Sequence, residues 1–369
     1  MSKTNLYVDI HLLQDLPPAN LNRDDTGSPK SARYGGVDRL RVSSQAWKRA
    51  TRLNFADNID VHSLGYRTRR VQDTLSDALV AAGVAEANVA FITAELLKPL
   101  KITASKKRGE ESSYLLFLSR PQVARLAADV AAKPEIWDDA EALGKIDVPA
   151  YLGKGHSLDV ALFGRMVADL SQIKVDAAAQ VSHALATHTA PTQFDYFTAV
   201  DDAQGTDETG AGMIGTVEFN SATLYRYATV NVPELISNMD DKDAAVAGLE
   251  QFIRSFALSM PSGKQNTFAA HSRPGLVWLV VRSDQPVNYM SAFERPVTAD
   301  RDGYFAQSMN RLAEFVVSEN GRWGDHPVAI AATYTDGASA ATEAFGASLS
   351  FDEAIGATLS AVREALADE

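Results

Sequence analysis

The chain contains no cysteine, which excludes disulfides, thiolate metal centres and thiol nucleophiles. Long apolar runs are missing as well. The strongest, Leu276 to Val281, covers six residues, where about 20 are needed to cross a bilayer. The opening residues MSKTNLYVDIHLL are broken by Asp9 and His11, so we expect no secretory signal. Cations are the minority charge, 35 Lys and Arg against 47 Asp and Glu, for a formal net charge of −12. Such a chain does not attract polyanions indiscriminately. With 369 residues, 46% of them hydrophobic, we expect a cytoplasmic protein of one large or two ordinary domains with no membrane partner.

The scarce positive charge is concentrated. Between Arg23 and Arg52 stand eight Lys or Arg (Arg23, Lys30, Arg33, Arg39, Arg41, Lys48, Arg49, Arg52) against three Asp, a local net of +5. Ser43, Ser44 and Gln45 add hydroxyl and amide donors. Cations mixed with neutral donors suit a polyphosphate, and nucleic acid is the expected partner.

Alternation of Leu6, Val8, Ile10 and Leu12 with Tyr7, Asp9 and His11 predicts a half-buried strand. Pro17-Pro18, Gly27, Pro29 and Gly35-Gly36 then predict a loop. A helix follows from Ser43 or Ser44, either of which can cap it. Its i, i+3, i+4, i+7 face carries Gln45, Lys48, Arg49 and Arg52, and Ala46, Trp47, Ala50 and Leu53 fall opposite. Helical patterning dominates about 60 to 182, with helices expected at Val71 to Ala82, Pro121 to Ala132 and Ser157 to Lys174. A second basic cluster, Lys98, Lys101, Lys106, Lys107 and Arg108, lies inside that region. Thr192 to Val200 and Met213 to Phe219 read as two extended arms around a polar, turn-rich tip, a protruding hairpin. Beyond it we expect a strand at Thr223 to Val232, a helix at Asp243 to Met260, a strand at Gly275 to Arg282, and helices at Phe305 to Glu319 and from Phe351. This order fits an α+β protein with a ferredoxin-like core and large insertions.

Several familiar sites are excluded by spacing. Gly263-Lys264 lacks the first P-loop glycine, because position 258 is Leu, and Gln265 replaces the Ser or Thr. His183 and His188 are five apart, which does not place two ligands on one helical face. Asp24-Asp25 could hold a divalent metal, but no further carboxylate or histidine is nearby in sequence to complete a site, so we expect them to orient the neighbouring cations and cap the loop. Tyr196, Phe197, Val200 and Met213-Ile214 could pack between the two strands or against another chain, or stack against bases.

Seven segments in order carry a resemblance: LNRDD (Leu21–Asp25), Gly35-Gly36 with RLRVSSQ and KRA up to Ala50, ALFGRM (Ala161–Met166), DYFTAVDD (Asp195–Asp202), IGTVEF (Ile214–Phe219), LYRYA (Leu224–Ala228) and PSGKQNTFAA (Pro261–Ala270). In these the chain resembles the CasC family of the RAMP superfamily, the backbone subunit of the type I-E CRISPR Cascade complex. The resemblance implies a hand-like fold: a ferredoxin-like, RRM-type palm (1–59, a strand at 183–190, and 223–369), a helical fingers insertion (60–182) and a thumb arm (191–222). It implies a non-catalytic subunit, without cofactor, that polymerises with further copies of itself along the guide RNA (crRNA). Its other partners would be the target DNA strand, reached through the guide, and the large, small, 5′-handle cap and 3′-hairpin processing subunits. Arg23, Lys30, Arg39, Arg41, Ser43, Gln45, Lys48, Arg49 and Arg52 would grip guide phosphates, joined by Lys264 and Gln265. Met166 would pack on bases. Tyr196, Phe197, Thr198, Val200 and Ile214 would displace one base at intervals, and Lys98, Lys101, Lys106, Lys107 and Arg108 would touch target duplex. After the double glycine the family can carry a basic run where this chain has Val37-Asp38-Arg39, so Arg39 would serve alone there. Related backbone subunits of other CRISPR types cut RNA with an aspartate, a role for which Asp24 or Asp25 would be the candidates.

Overall fold

The computed structural model describes residues 5–100, 115–167, 170–199, 213–335 and 341–367. The chain divides into two compact units, one of residues 5–53, 181–229 and 252–369, the other of 54–180 with 230–251. The strands are β1 (Tyr7–Ala19), β2 (Ser31–Tyr34), β3 (Val37–Val42), β4 (Gly65–Thr68), β5 (Leu116–Ser119), β6 (Ala179–Val181), β7 (Ala184–Ala186), β8 (Gln193–Ala199), β9 (Met213–Asn231), β10 (Leu276–Arg282) and β11 (Ala329–Tyr334). Among the described residues no helix is long and apolar enough to cross a membrane.

The first unit is built on a sheet ordered β11-β10-β1-β9-β7-β3-β2. Within it β10, β1, β9 and β7 stand in the ferredoxin-like order of fourth, first, third and second strand. Helix α1 (Ser44–Asn58) follows the first strand and the helix Lys242–Leu258 precedes the fourth. The fold class is thus α+β, as its sequence pattern implies. β1 and β10 pair antiparallel with Ile10 opposite Leu279 and His11 opposite Trp278.

β1 differs from the half-buried strand that alternation predicts: Asp9 and His11 are as buried as Ile10 and Leu12. The sheet is covered on both faces. The helix Gly303–Trp323 supplies Met309, Leu312 and Val316 against Leu13, Tyr225, Tyr227 and Trp278 on one side. Trp47 and Phe256 cover Arg226 on the other. Two of the carboxyl, imidazole and phenol pairs on the inner face are closed: Tyr227 donates to Asp9 at 2.9 Å, and His11 Nδ1 lies 2.8 Å from the Tyr225 hydroxyl. Burial lifts the Asp9 carboxyl to about 6 and pushes His11 down to about 3. β1 also continues through Pro17-Pro18, where the proline pair predicts a loop.

The second unit packs the helices Val71–Ala81, Glu86–Leu97 and Arg120–Ala131 around Leu75, Leu79, Ile92, Leu96, Leu126 and Val130, with the two-stranded antiparallel sheet of β4 and β5. The helix expected from Ser157 to Lys174 stops at Phe163. Gly164 there adopts φ +74°, and a Cβ would come 2.8 Å from the Val175 carbonyl. Residues 230–251 also join this unit, although the resemblance implies a palm location for them. Asn238 ties them in, donating to the carbonyls of Ala161 at 3.1 Å and Asp176 at 2.9 Å.

Candidate nucleic-acid interface

The basic block folds as a loop, a hairpin and a helix N-terminus. β2 and β3 pair from Ser31–Leu40 to Tyr34–Val37, which makes Gly35-Gly36 a two-residue turn. Both glycines have positive φ, +59° and +80°, as this turn class demands. A side chain on Gly35 would overlap the Glu294 carbonyl, with Cβ only 1.7 Å from the oxygen. No other residue fits.

In the preceding loop, Asp24 acts as organiser. Its Oδ1 accepts from Thr26 Oγ1 at 2.7 Å, Thr26 N at 2.9 Å and Ser28 N at 3.0 Å. These bonds, the Thr26 hydroxyl foremost, hold its carboxyl below the usual range. The loop is then joined to its neighbours. Asn22 Oδ1 accepts from Ser43 N at 2.9 Å, and the Arg41 amide donates to the Lys30 carbonyl at 2.9 Å. Lys30, Arg41 and Ser43 are thereby brought together. Ser43 caps α1, its Oγ accepting from Ala46 N at 3.3 Å.

His183 completes this cluster. Its Nδ1 lies 3.4 Å from Arg41 Nη1 and 3.3 Å from Ser44 N. Partial burial, then Arg41, then Lys30 push its basicity down. With Arg41 and Lys30 both close enough to act on this imidazole, the cluster is a patch of positive potential. On α1, Gln45 and Arg49 are exposed and Lys48 and Arg52 partly so, while Trp47, Ala50 and Thr51 are buried. Leu53, expected on the buried side, is 51% exposed.

Arg39 requires a correction. It points away from solvent, fully buried, with Nε on the Tyr34 carbonyl at 3.2 Å, Nη1 on Ala186 at 3.0 Å, and Nη2 on Phe293 at 2.9 Å and Glu294 at 3.2 Å. Its donors are spent on main-chain oxygens, so it fastens the hairpin and cannot grip a phosphate. Alternation puts residues 39 and 41 on the same side of β3, and their surroundings decide between them. Arg39 lies under the Phe293-Glu294 segment, whereas Arg41 pairs with Leu185 in β7 and stays near the surface beside His183.

A second loop joins the cluster. Gly263 lies so close to the chain beyond β1 that a Cβ would sit 2.3 Å from the Leu21 carbonyl. That approach brings Lys264, held at φ +51°, beside the segment leading into Arg23. Gln265 follows, its Nε2 donating to Pro261 O at 3.3 Å and its buried Oε1 unpartnered.

The predicted arm is a two-stranded ribbon of β8 and the first part of β9. Tyr196 faces Thr216, Thr198 faces Ile214 and Phe194 faces Glu218, which gathers these six on one side. That side is open: Phe194 is 67%, Tyr196 63% and Ile214 60% exposed. Phe197 belongs to the other side, opposite Gly215, where its ring occupies the space a Cβ would need. The arm is tied at its base by Asn20, which donates to the Glu218 carbonyl at 2.9 Å and to Gly27 at 3.1 Å.

The chain matches the CT1975-like protein family over residues 8–357. It belongs to that family. Among solved structures it is similar to a chain of a "CRISPR RNA-guided surveillance complex, pre-nicking", at 30% identity and a TM-score of 0.80, with 96% of this chain and 99% of that one covered. A chain of another "CRISPR RNA-guided surveillance complex" is similar at 28% identity and a TM-score of 0.64, with the same coverage. No curated protein matches.

Two features of this family member are not evident from sequence motifs. Spacing tests His183 only as a metal ligand, because its approach to Arg41 spans 142 residues of chain. Phe194 is signalled by its two-residue spacing to Tyr196 alone. Other expected residues lie elsewhere. Met166 is in the helical unit, and Lys98 there pairs with Glu95. Lys101, Lys106, Lys107, Arg108 and Val200 fall outside the described residues.

Proposed function

We propose that this chain is a non-catalytic crRNA-binding backbone subunit of a type I-E CRISPR surveillance complex. The observation that carries this function is the gathering of Lys30, Arg41, Ser43 and His183 at the N-terminus of α1, in a chain of net charge −12. Cations and N-terminal amides there hold successive phosphates of a single strand. Held by its backbone, the guide keeps its base edges free, and pairing with target DNA does the sequence reading. The arm's open face of Phe194, Tyr196 and Ile214 takes the flat side of a base and interrupts the stack. Further copies join head to tail along the guide, and the large, small, cap and processing subunits complete the complex. Asp24 serves the loop, since its Oδ1 already accepts three bonds. Purification of the assembled complex tests the proposal: it contains a guide-length RNA, and replacing Lys30, Arg41 and Arg49 by Ala strips that RNA from this subunit. A complex that forms without RNA overturns it.

A further inference from the structure

The amide of Ser44, the first of α1, donates to Nδ1 of His183 at 3.3 Å, on the short segment between β6 and β7. Arg41 Nη1 approaches the same nitrogen at 3.4 Å. Neighbouring donors have other partners: Ala46 N donates to Ser43 Oγ, and Arg41 Nε to the Ser31 carbonyl at 3.1 Å. A backbone amide only donates, so the lone pair of the imidazole is on Nδ1 and the ring proton on Nε2. His183 is therefore neutral and held in one tautomer.

One lone pair thus occupies an amide at a helix N-terminus and a guanidinium, donors that together suit an anionic oxygen far better than an imidazole. The main chain behind it is fixed. Ser182 donates its N at 2.9 Å and its Oγ at 3.1 Å to the Tyr227 carbonyl, and Ala184 pairs with Val42 at the end of β3. The His183 side chain is itself exposed and has room to turn. The charges that bear on it, Arg41 from β3 and Lys30 from the loop before β2, are both positive, and Ser43, Ser44 and Gln45 of the α1 start are neutral. A second proton on the ring is unfavourable while these cations lack an anion.

We propose that His183 is a placeholder for a guide phosphate: the phosphate displaces Nδ1 from the Ser44 amide and Arg41, and the freed imidazole takes a proton from solvent and donates to the phosphate. No covalent bond is made or broken in the exchange. The phosphate brings the negative charge that the cluster lacks, and that charge favours the imidazolium. Guide binding and proton uptake are then linked, so affinity rises as pH falls, by up to about tenfold per pH unit per site. The inference rests on the guide-binding function above and adds a proton to the bound state.

The test titrates the full chain, as wild type, His183→Gln and His183→Ala, with guide RNA between about pH 8 and about pH 5.5, a range in which histidine is the side chain that ordinarily titrates. Asp24, whose carboxyl is held low, stays ionised throughout. Calorimetry in buffers of different ionisation enthalpy counts the protons taken up. The wild type binds more tightly as pH falls and takes up protons as it does so. His183→Gln, which can accept from the Ser44 amide but cannot be protonated, matches the wild type at about pH 8 and loses the pH response. His183→Ala leaves the amide and guanidinium open, binds several-fold more tightly than the wild type at about pH 8, and is equally flat. The substituted side chain is exposed, and unchanged melting temperatures confirm folding. If all three share one pH slope, or if His183→Ala weakens binding equally at every pH, His183 is a fixed cap and the exchange is refuted, while guide binding stands. If none of the three binds RNA, both fall.

Discussion

The guanidinium carbon of Arg226 lies 3.6 Å from the centre of the Trp47 ring, at the underside of the helix that presents Lys48 and Arg49. Phe256 closes the other side at 4.6 Å, and the arginine donates to Gln14 Oε1 at 2.6 Å and to the Phe256 carbonyl. Burial pushes the guanidinium well below its usual basicity. Arg226→Ala is expected to cost about 2–5 kcal/mol through the emptied space and the absent cation between two rings. Arg226→Met fills the slot without a buried charge and costs less. Thermal unfolding of the two variants checks the order.

Arg39 and Arg41 are two residues apart and should fail in different ways. Arg41→Ala is expected to weaken RNA binding and to flatten the dependence of log affinity on log salt by about 0.7 for each phosphate that Arg41 neutralises. Arg39→Ala leaves four carbonyls without their donor, so it lowers the melting temperature and leaves the salt slope unchanged. Filter binding over a salt series, together with thermal unfolding, separates them.

The two faces of the arm are expected to divide their labour. Phe194→Ala and Tyr196→Ala each remove about 1–3 kcal/mol of base stacking with no change in melting temperature. Phe197→Ala acts by loosening the ribbon over Gly215. Base unstacking in guide RNA, followed with 2-aminopurine next to the arm, distinguishes stacking from support.

Asp24→Ala frees Thr26 and Ser28 from the carboxylate that positions them. We expect a looser loop, a several-fold weaker grip on RNA and no change in RNA cleavage when matched RNA and magnesium are supplied. Cleavage by the wild type that Asp24→Ala abolishes would reverse the assignment to a nuclease.

How much of this is legible in the sequence depends on range. The ferredoxin-like order, the amphipathic α1 and the arm are local patterns and can be read directly. The fate of Arg39 cannot, because its burial is decided by carbonyls of Ala186, Phe293 and Glu294, up to 255 residues away. The helix after Ser157 looks longer than it is because apolar spacing continues past Gly164, and only the close Val175 carbonyl shows that the chain must turn there. Asp9 and His11 look like the wet side of a strand; the aromatic layer that buries them comes from Tyr225, Tyr227, Trp278 and Tyr289.

Those two residues also set a pH prediction. His11 falls from 6.5 to about 3 on folding, so its contribution to stability is complete above pH 6.5 and is lost as pH falls toward 3. Asp9 rises from 3.8 to about 6, so its penalty is complete above pH 6 and fades as pH falls toward 3.8. Between about pH 6 and pH 4 the two trends oppose. Asp9→Asn removes one of them, and stability should then decline by up to about 1.4 kcal/mol per pH unit more steeply than in wild type. Denaturant titrations at about pH 7, 6, 5 and 4 read the slope across this window.

β9 runs without interruption for 19 residues from the arm into the heart of the sheet, pairing with β8 at one end and β7 farther along. Its length therefore obeys a parity rule. Gain or loss of one residue between Thr216 and Leu224 would carry Ile214 and Thr216 to the underside of the ribbon and leave Tyr196 opposite a stranger. A two-residue insertion or deletion, or matched single changes in both strands, would keep these faces where they are.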